Sequence, residues 1–280
     1  MSQIYTVILN SNNKTSDNTF TYEFPSSVKF KPDAKVALQS ISLYNSIFNI
    51  EASRRNNKFT INWKGATPSV HNFVIEDGNY SISDLNHLLQ FYMIQEKLYM
   101  WDALESKNKY FLEVAINPNV YGVQINSYAI PIQATATALS LTLPTGAGWA
   151  LPTTPITPQI EFLAEFGSLL GFPTGTFPAA TSDEDTTLKS TLVPQIAPVN
   201  SVLVGCNLIH SDLSIPVDLF YSFTLNSAFG SLIEINQASP VYNSIRDGTY
   251  KNLIISLYDQ AYNRIELHDP EVTIVLSIKM

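Results

Sequence analysis

A chain of 280 residues, 45% hydrophobic and 14% charged, is long enough to bury a substantial core and admits one or two domains. Its charged fraction lies well below the roughly 25% of ordinary soluble domains, and Asn, Ser and Thr supply much of the polarity instead. The net charge is -8 and the basic residues are scattered, with Arg54-Arg55 the only adjacent arginines, which argues against direct nucleic-acid binding through clustered Lys and Arg.

A polar but weakly charged surface suits a protein that covers much of its outside with neighbours, although ordinary β-sandwiches share that composition. No segment approaches the roughly 18 apolar residues of a membrane span. Met1-Ser2-Gln3-Ile4-Tyr5 lacks the basic and apolar regions of a signal peptide, so the chain is expected to be made and used inside a cell. Cys206 is the single cysteine, which leaves no intrachain disulfide and no cysteine zinc cluster. Its setting, Val202-Leu203-Val204-Gly205-Cys206, marks an inert core thiol.

In chain order, Ile4 to Leu9 reads as a strand and residues 10–18 as a polar loop. Thr19 to Phe24 alternates Phe20, Tyr22 and Phe24 with polar residues until Pro25, the pattern of a strand with one buried face. Ala34 to Tyr44, Lys58 to Trp63 and Val70 to Ile75 follow, which points to an antiparallel sandwich or barrel. One helix, Ile82 to Met100, interrupts them. Ser81 and Asp84 form a capping box at its start, and Ile82, Leu85, Leu88, Leu89, Tyr92 and Met93 fall at helical spacing as a packing stripe.

Phe111 to Ile116 and Tyr121 to Ile125 resume strand character around Asn117-Pro118-Asn119. From 126 to 198 prolines accumulate and charge nearly vanishes until Asp183-Glu184-Asp185. Proline cannot donate to a ladder, so this stretch is read as a proline-rich insertion or elaborated loops, with a β-ribbon near 139–143 and a helical turn near 162–170; completing the core is its alternative role. Ser201 to Ile209, Phe220 to Leu225, Leu253 to Leu257 and Val272 to Ile278 complete the strand count. The expected fold is all-β, a single jelly-roll sandwich of residues 1–125 and 199–280 with one helix near 82–100 and an elaboration at 126–198.

Chemistry is sparse. His71, His87, His210 and His268 stand in separate segments without metal-pair spacing. No nucleophile elbow, phosphate loop or dinucleotide fingerprint occurs. Glu234, Asp259, Glu266, Asp269 and Glu271 are available for the paired-carboxylate chemistry of a glycosidase, as they would be in any acidic chain. Asn13-Lys14-Thr15 and Asn79-Tyr80-Ser81 match the glycosylation pattern but are expected to be silent without secretion. The expectation is therefore no enzyme, no catalytic residue, no cofactor and no metal.

Four ordered strings carry a resemblance. They are Leu43-Tyr44-Asn45-Ser46-Ile47-Phe48-Asn49-Ile50, Gly78-Asn79-Tyr80-Ser81-Ile82-Ser83-Asp84-Leu85-Asn86, Leu169-Leu170-Gly171-Phe172, and Asp259-Gln260 followed by Ile265-Glu266-Leu267-His268-Asp269-Pro270-Glu271. By these the chain resembles the penton, or vertex, capsid proteins of virophages and Polinton-like viruses of the double-jelly-roll lineage. The resemblance implies a virion protein made in the host cytoplasm or virus factory. It implies a homopentamer of single jelly rolls at each vertex, with a viral major capsid protein as partner. The alternative is a jelly-roll carbohydrate-binding or attachment module for a glycan or receptor, with Trp63, Trp101 and Trp149 as an aromatic platform.

Overall fold

The computed structural model describes residues 3–15, 19–211, 214 and 217–280. Residues 16–18 of the expected polar loop, and Met1 and Ser2 of the amino-terminal segment, lie outside the described residues. The chain divides into two compact units, Met1–Ile47 with Val199–Met280, and Phe48–Pro198.

The first unit is built from β1 (Ile4–Asn10), β2 (Thr19–Phe30), β3 (Lys35–Tyr44), β4 (Ser201–Cys206), β5 (Leu219–Thr224), β6 (Leu232–Asn236), β7 (Gly248–Tyr258) and β8 (Val272–Lys279). They form two antiparallel sheets in the orders β1-β8-β3-β6 and β5-β4-β7-β2, and the short strand Asn243–Ser244 also pairs with β3. First pairs with last, second with seventh, third with sixth and fourth with fifth. That is a hairpin ribbon wound into two sheets, the jelly roll. Leu9, Val36, Leu38, Ile274 and Leu276 of one sheet join Phe20, Phe30, Val204, Leu253 and Ile255 of the other in one buried cluster. Burial on that scale stabilises by about 1.5–3 kcal/mol per large side chain.

Local irregularities explain where the alternation slips. In β3 the large buried side chains are Val36 and Leu38, with the small Ala37 buried between them, then Ile41 and Leu43, a change of phase that a regular strand cannot make. Val275 pairs with Ser40 while Leu276 pairs with Leu38, so Gln39 is the extra residue of a bulge. Its carbonyl accepts the Gln237 N–H at 3.0 Å. In β2 the strand does not end at Pro25, as the sequence led us to expect. It runs on to Phe30 because the ladder skips from Glu23 opposite Asn252 to Val28 opposite Tyr250, leaving the proline in the unpaired excursion where its missing N–H costs nothing.

The second unit holds three further sheets. Gly175–Phe177, Gln159–Phe162, Lys58–Trp63 and Ser69–Val74 form the largest; Thr186–Lys189, Gly122–Ser127 and Leu112–Asn117 form another; Leu141–Thr142, Met100–Asp102 and Lys107–Lys109 form the third. Helix α1 (Ile82–Gln95) starts on the capping box of Ser81 and Asp84 and buries Ile82, Leu85, Leu89 and Met93. Its Asn86 Oδ1 accepts the Val114 N–H at 3.0 Å, which satisfies a donor on the edge strand of the second sheet. Helices α2 (Gln133–Ala138) and α3 (Ala164–Leu170) are short.

Four expectations need correction. The boundary drawn at 125/126 moves to 47/48, because the strands between Lys58 and Ser127 pair with one another and with the proline-rich stretch, not with β1–β8. That stretch is not merely loops. Gln159–Phe162 lies inside a sheet between two neighbours, and Phe162, Phe166, Leu170 and Phe172 are core residues. Its strand runs between prolines rather than through them. The helix expected to reach Met100 ends at Gln95, since Lys97 adopts a left-handed φ of 57° and Met100 opens a strand. Of the three α-helices among the described residues, α3 falls on the helical turn expected near 162–170 and Leu141–Thr142 is a strand within the ribbon expected near 139–143, whereas α2, just before that ribbon, was not expected.

Candidate functional site

Among the described residues no three His, Cys, Asp or Glu side chains gather as a group able to hold a metal ion. The acids proposed for paired-carboxylate chemistry are engaged locally instead. Glu234 accepts the Asn236 side-chain amide at 2.8 Å. Asp259 holds a turn by accepting the Ala261 and Asn263 N–H groups, each at 2.8 Å. Asp269 accepts the Glu271 N–H at 2.8 Å. Glu266 and Glu271 are exposed. In the acidic triplet, Asp185 accepts the Ala129 N–H at 2.8 Å, a contact between segments 56 residues apart. Asn13 of the first glycosylation pattern accepts the Asn10 N–H at 2.9 Å within a capping box. Cys206 is fully buried, and desolvation pushes its thiol up to about 12, which keeps it protonated and unreactive.

One polar chain was missed in the sequence. Ser69 and His71 stand two apart on a strand and so share a face. The Ser69 hydroxyl lies 2.9 Å from His71 Nε2, and His71 Nδ1 lies 3.2 Å from Glu96 Oε2 at the end of α1. A hydroxyl, an imidazole and a carboxylate in this order can activate a nucleophile. Here the carboxylate is half exposed, and none of the three lines the surface grooves described below. The chain ties the start of an edge strand to the end of α1. Spacing alone could have shown the Ser69–His71 pair; Glu96 arrives only through helix packing.

The four strings behind the family resemblance turn out to be junctions of the fold. Asn45 donates its side-chain amide to the Ser227 carbonyl at 2.9 Å, and Ser46 Oγ accepts the Asp269 N–H at 2.9 Å. Asn49, 1% exposed, clamps Tyr80, and Ile50 bridges Gly78. In Leu169-Leu170-Gly171-Phe172 the three apolar residues are buried, and Gly171 closes α3 at a φ of 78°, the left-handed C′ position that glycine fills without strain. These residues set turns and caps. None faces a cleft.

The three tryptophans do not share a platform. Trp63 is wholly buried and meets Trp149 edge-on at 4.9 Å, while Trp149 donates its indole N–H to the Lys97 carbonyl at 2.7 Å. Trp101 alone is open, at 41% exposure. It borders a groove of about 440 Å³ lined also by Lys97, Tyr99, Thr142, Pro144 and Thr145. A second groove, about 330 Å³, lies where β2 leaves its ladder, beside Glu23, Ser27 and Lys251. No helix among the described residues is long and apolar enough to cross a membrane.

No protein-family model and no curated protein matches the chain. Among solved structures it is similar to the mavirus penton protein, with 10% identity and a TM-score of 0.45 over 100% of this chain and 98% of that one. It is also similar to a chain of the Sputnik virophage, with 11% identity and a TM-score of 0.40 over 100% and 97% of the two chains. The jelly-roll assignment stands on the strand order itself.

Proposed function

We propose that this chain is a viral capsid structural protein, the penton subunit that forms homopentamers at icosahedral vertices beside a double-jelly-roll major capsid protein. It would be made in the host cytoplasm or virus factory and carried in the virion, with no catalytic role. The observation that carries this reading is the complete jelly-roll winding of β1 to β8, reached independently of the vertex-protein strings in the sequence. Two four-stranded layers make a compact block that can stand beside its copies around an axis. Such rings need one side wall to meet a different one on the next copy, with a rotation that closes. The edge strand β1 supports a side-wall role, since Ile4 and Ile8 are 57% and 54% exposed on its outer face beside a ladder edge that no strand among the described residues pairs.

Quantitative mass spectrometry of purified particles tests the reading, and about sixty copies per capsid are expected for five at every vertex. A copy number in the hundreds would make the chain a major coat protein, and absence from particles would overturn the capsid role. A monomer in dilute solution is compatible with the proposal, because small ring contacts gain strength from the surrounding coat.

A further inference from the structure

The groove at Trp101 has the make-up of a ligand site, and its geometry follows from strand pairing. In the sheet of Leu141–Thr142, Met100–Asp102 and Lys107–Lys109, Trp101 pairs with Thr142 on one side and Asn108 on the other. Directly opposed residues in antiparallel strands share a face. The indole is thus set between a hydroxyl and a carboxamide, with Met100 buried on the opposite face of its strand. Asn108 donates its amide to the Tyr110 hydroxyl at 3.3 Å, which leaves its carbonyl oxygen to accept. Tyr99, whose ring lies 6.4 Å from that of Tyr110, extends the aromatic surface into the groove.

The opposite wall is held in place before any ligand arrives. Lys97 follows α1 in the left-handed region. Its carbonyl is taken by Trp149 Nε1 at 2.7 Å, and its ammonium donates to the Gly146 carbonyl at 3.1 Å, which ties the end of the helix to the loop that carries Pro144 and Thr145. Pre-formed walls spare a ligand the cost of ordering them.

We propose that this groove binds a saccharide. An open indole offers a flat apolar face to the C–H side of a sugar ring. Thr142, Thr145 and Tyr99 offer donors and acceptors in its lining, as the hydroxyls at the edge of a sugar require. The volume of about 440 Å³ falls in the roughly 300–1,000 Å³ range of small-ligand sites, enough for a short glycan and too small for a folded partner. No acidic side chain lines it, so neutral and anionic sugars are both admitted. The proposal does not rest on the capsid role, and either can fail without the other.

The test titrates purified full-length chain with soluble oligosaccharides ending in glucose, galactose, mannose, N-acetylglucosamine or sialic acid, read by tryptophan fluorescence and by ligand-observed NMR. Saturable binding of at least one class is expected. Trp101→Ala should weaken it about tenfold or more, while Trp101→Phe, which keeps a ring, should retain most of it. Should Trp101→Ala fail to fold, Thr142→Val, which removes only an exposed hydroxyl, is expected to weaken binding measurably. Absence of binding to every class, or wild-type binding by Trp101→Ala and Thr142→Val, would overturn the proposal.

Discussion

The side chain of Asn49 closes a two-way hydrogen-bonded clamp on the backbone of Tyr80, accepting its N–H at 2.9 Å and donating to its carbonyl at 2.8 Å. The same amide donates to the Ile196 carbonyl at 2.9 Å. Asn49 thereby fixes the turn that precedes α1, and its own carbonyl accepts the Asn56 amide at 2.7 Å. Leaving a buried polar group unpaired costs about 1–3 kcal/mol. Asn49→Ala should therefore destabilise the second unit by roughly 3 kcal/mol, and Asn49→Asp, which can accept but not donate, should cost a similar amount. Hydrogen exchange at Tyr80 checks this: its amide should lose protection in Asn49→Ala before the amides of β3 and β8 do.

Gly171 offers a second check on the resemblance strings as structure. A Cβ there would run into the Leu192 carbonyl, and the backbone stands at a φ of 78°, where a side chain is strained. Gly171→Ala should cost about 1–3 kcal/mol. Thermal melts should show the loss, whereas substitution of Gly148, beside which an added Cβ meets nothing within 4 Å, should show little.

How far the sequence could be read depends on the range of the interaction. The capping box at Ser81 and the apolar positions of β3 were legible because both are local patterns. That Val36 and Leu38 give way to Ile41 and Leu43 was visible as well, but the bulge at Gln39 that rephases them belongs to the pairing with β8. The boundary at 47/48 was not legible, because Lys58–Trp63 has the same two-residue period as any jelly-roll strand, and period does not name the partner. Pro25 and the prolines after 126 were read as breakers. They instead sit in an excursion or beside strands, where no ladder hydrogen bond is needed. At the candidate site, Trp63, Trp101 and Trp149 were one class in the sequence; only packing separates a core ring and a half-buried one against it from an open one.

Packing of α1 gives a graded prediction. Leu89 is 2% exposed among Phe59, Ile75, Phe162 and Phe166, so Leu89→Ala should cost about 2–5 kcal/mol. Phe91, two residues on and 51% exposed, should cost within about 0.5 kcal/mol as Phe91→Ala. Denaturant midpoints that fail to separate the two would contradict the burial.

High pH should destabilise the fold through two groups of the same sign. Burial raises the Cys206 thiol from 9.0 to about 12. Desolvation first, then the hydrogen bond donated to Glu113 at 2.9 Å, raises the Tyr128 phenol from 10.0 to about 12. Each folded form holds its proton more tightly than the unfolded chain does, so each contribution is complete below the unfolded value and is lost as pH rises toward the folded one. For the thiol that window opens near 9 and for the phenol near 10, and both close near 12. Melting temperature should accordingly fall as pH rises from about 9, and Cys206→Ala should soften the early part of that fall. A thiol reagent at pH 8 should label native protein slowly and denatured protein at one site per chain. Rapid labelling of the native chain would mean that the first unit opens around β4, where Cys206 is buried, pairs with Ile255 and donates its N–H to the Asp218 carbonyl at 2.9 Å.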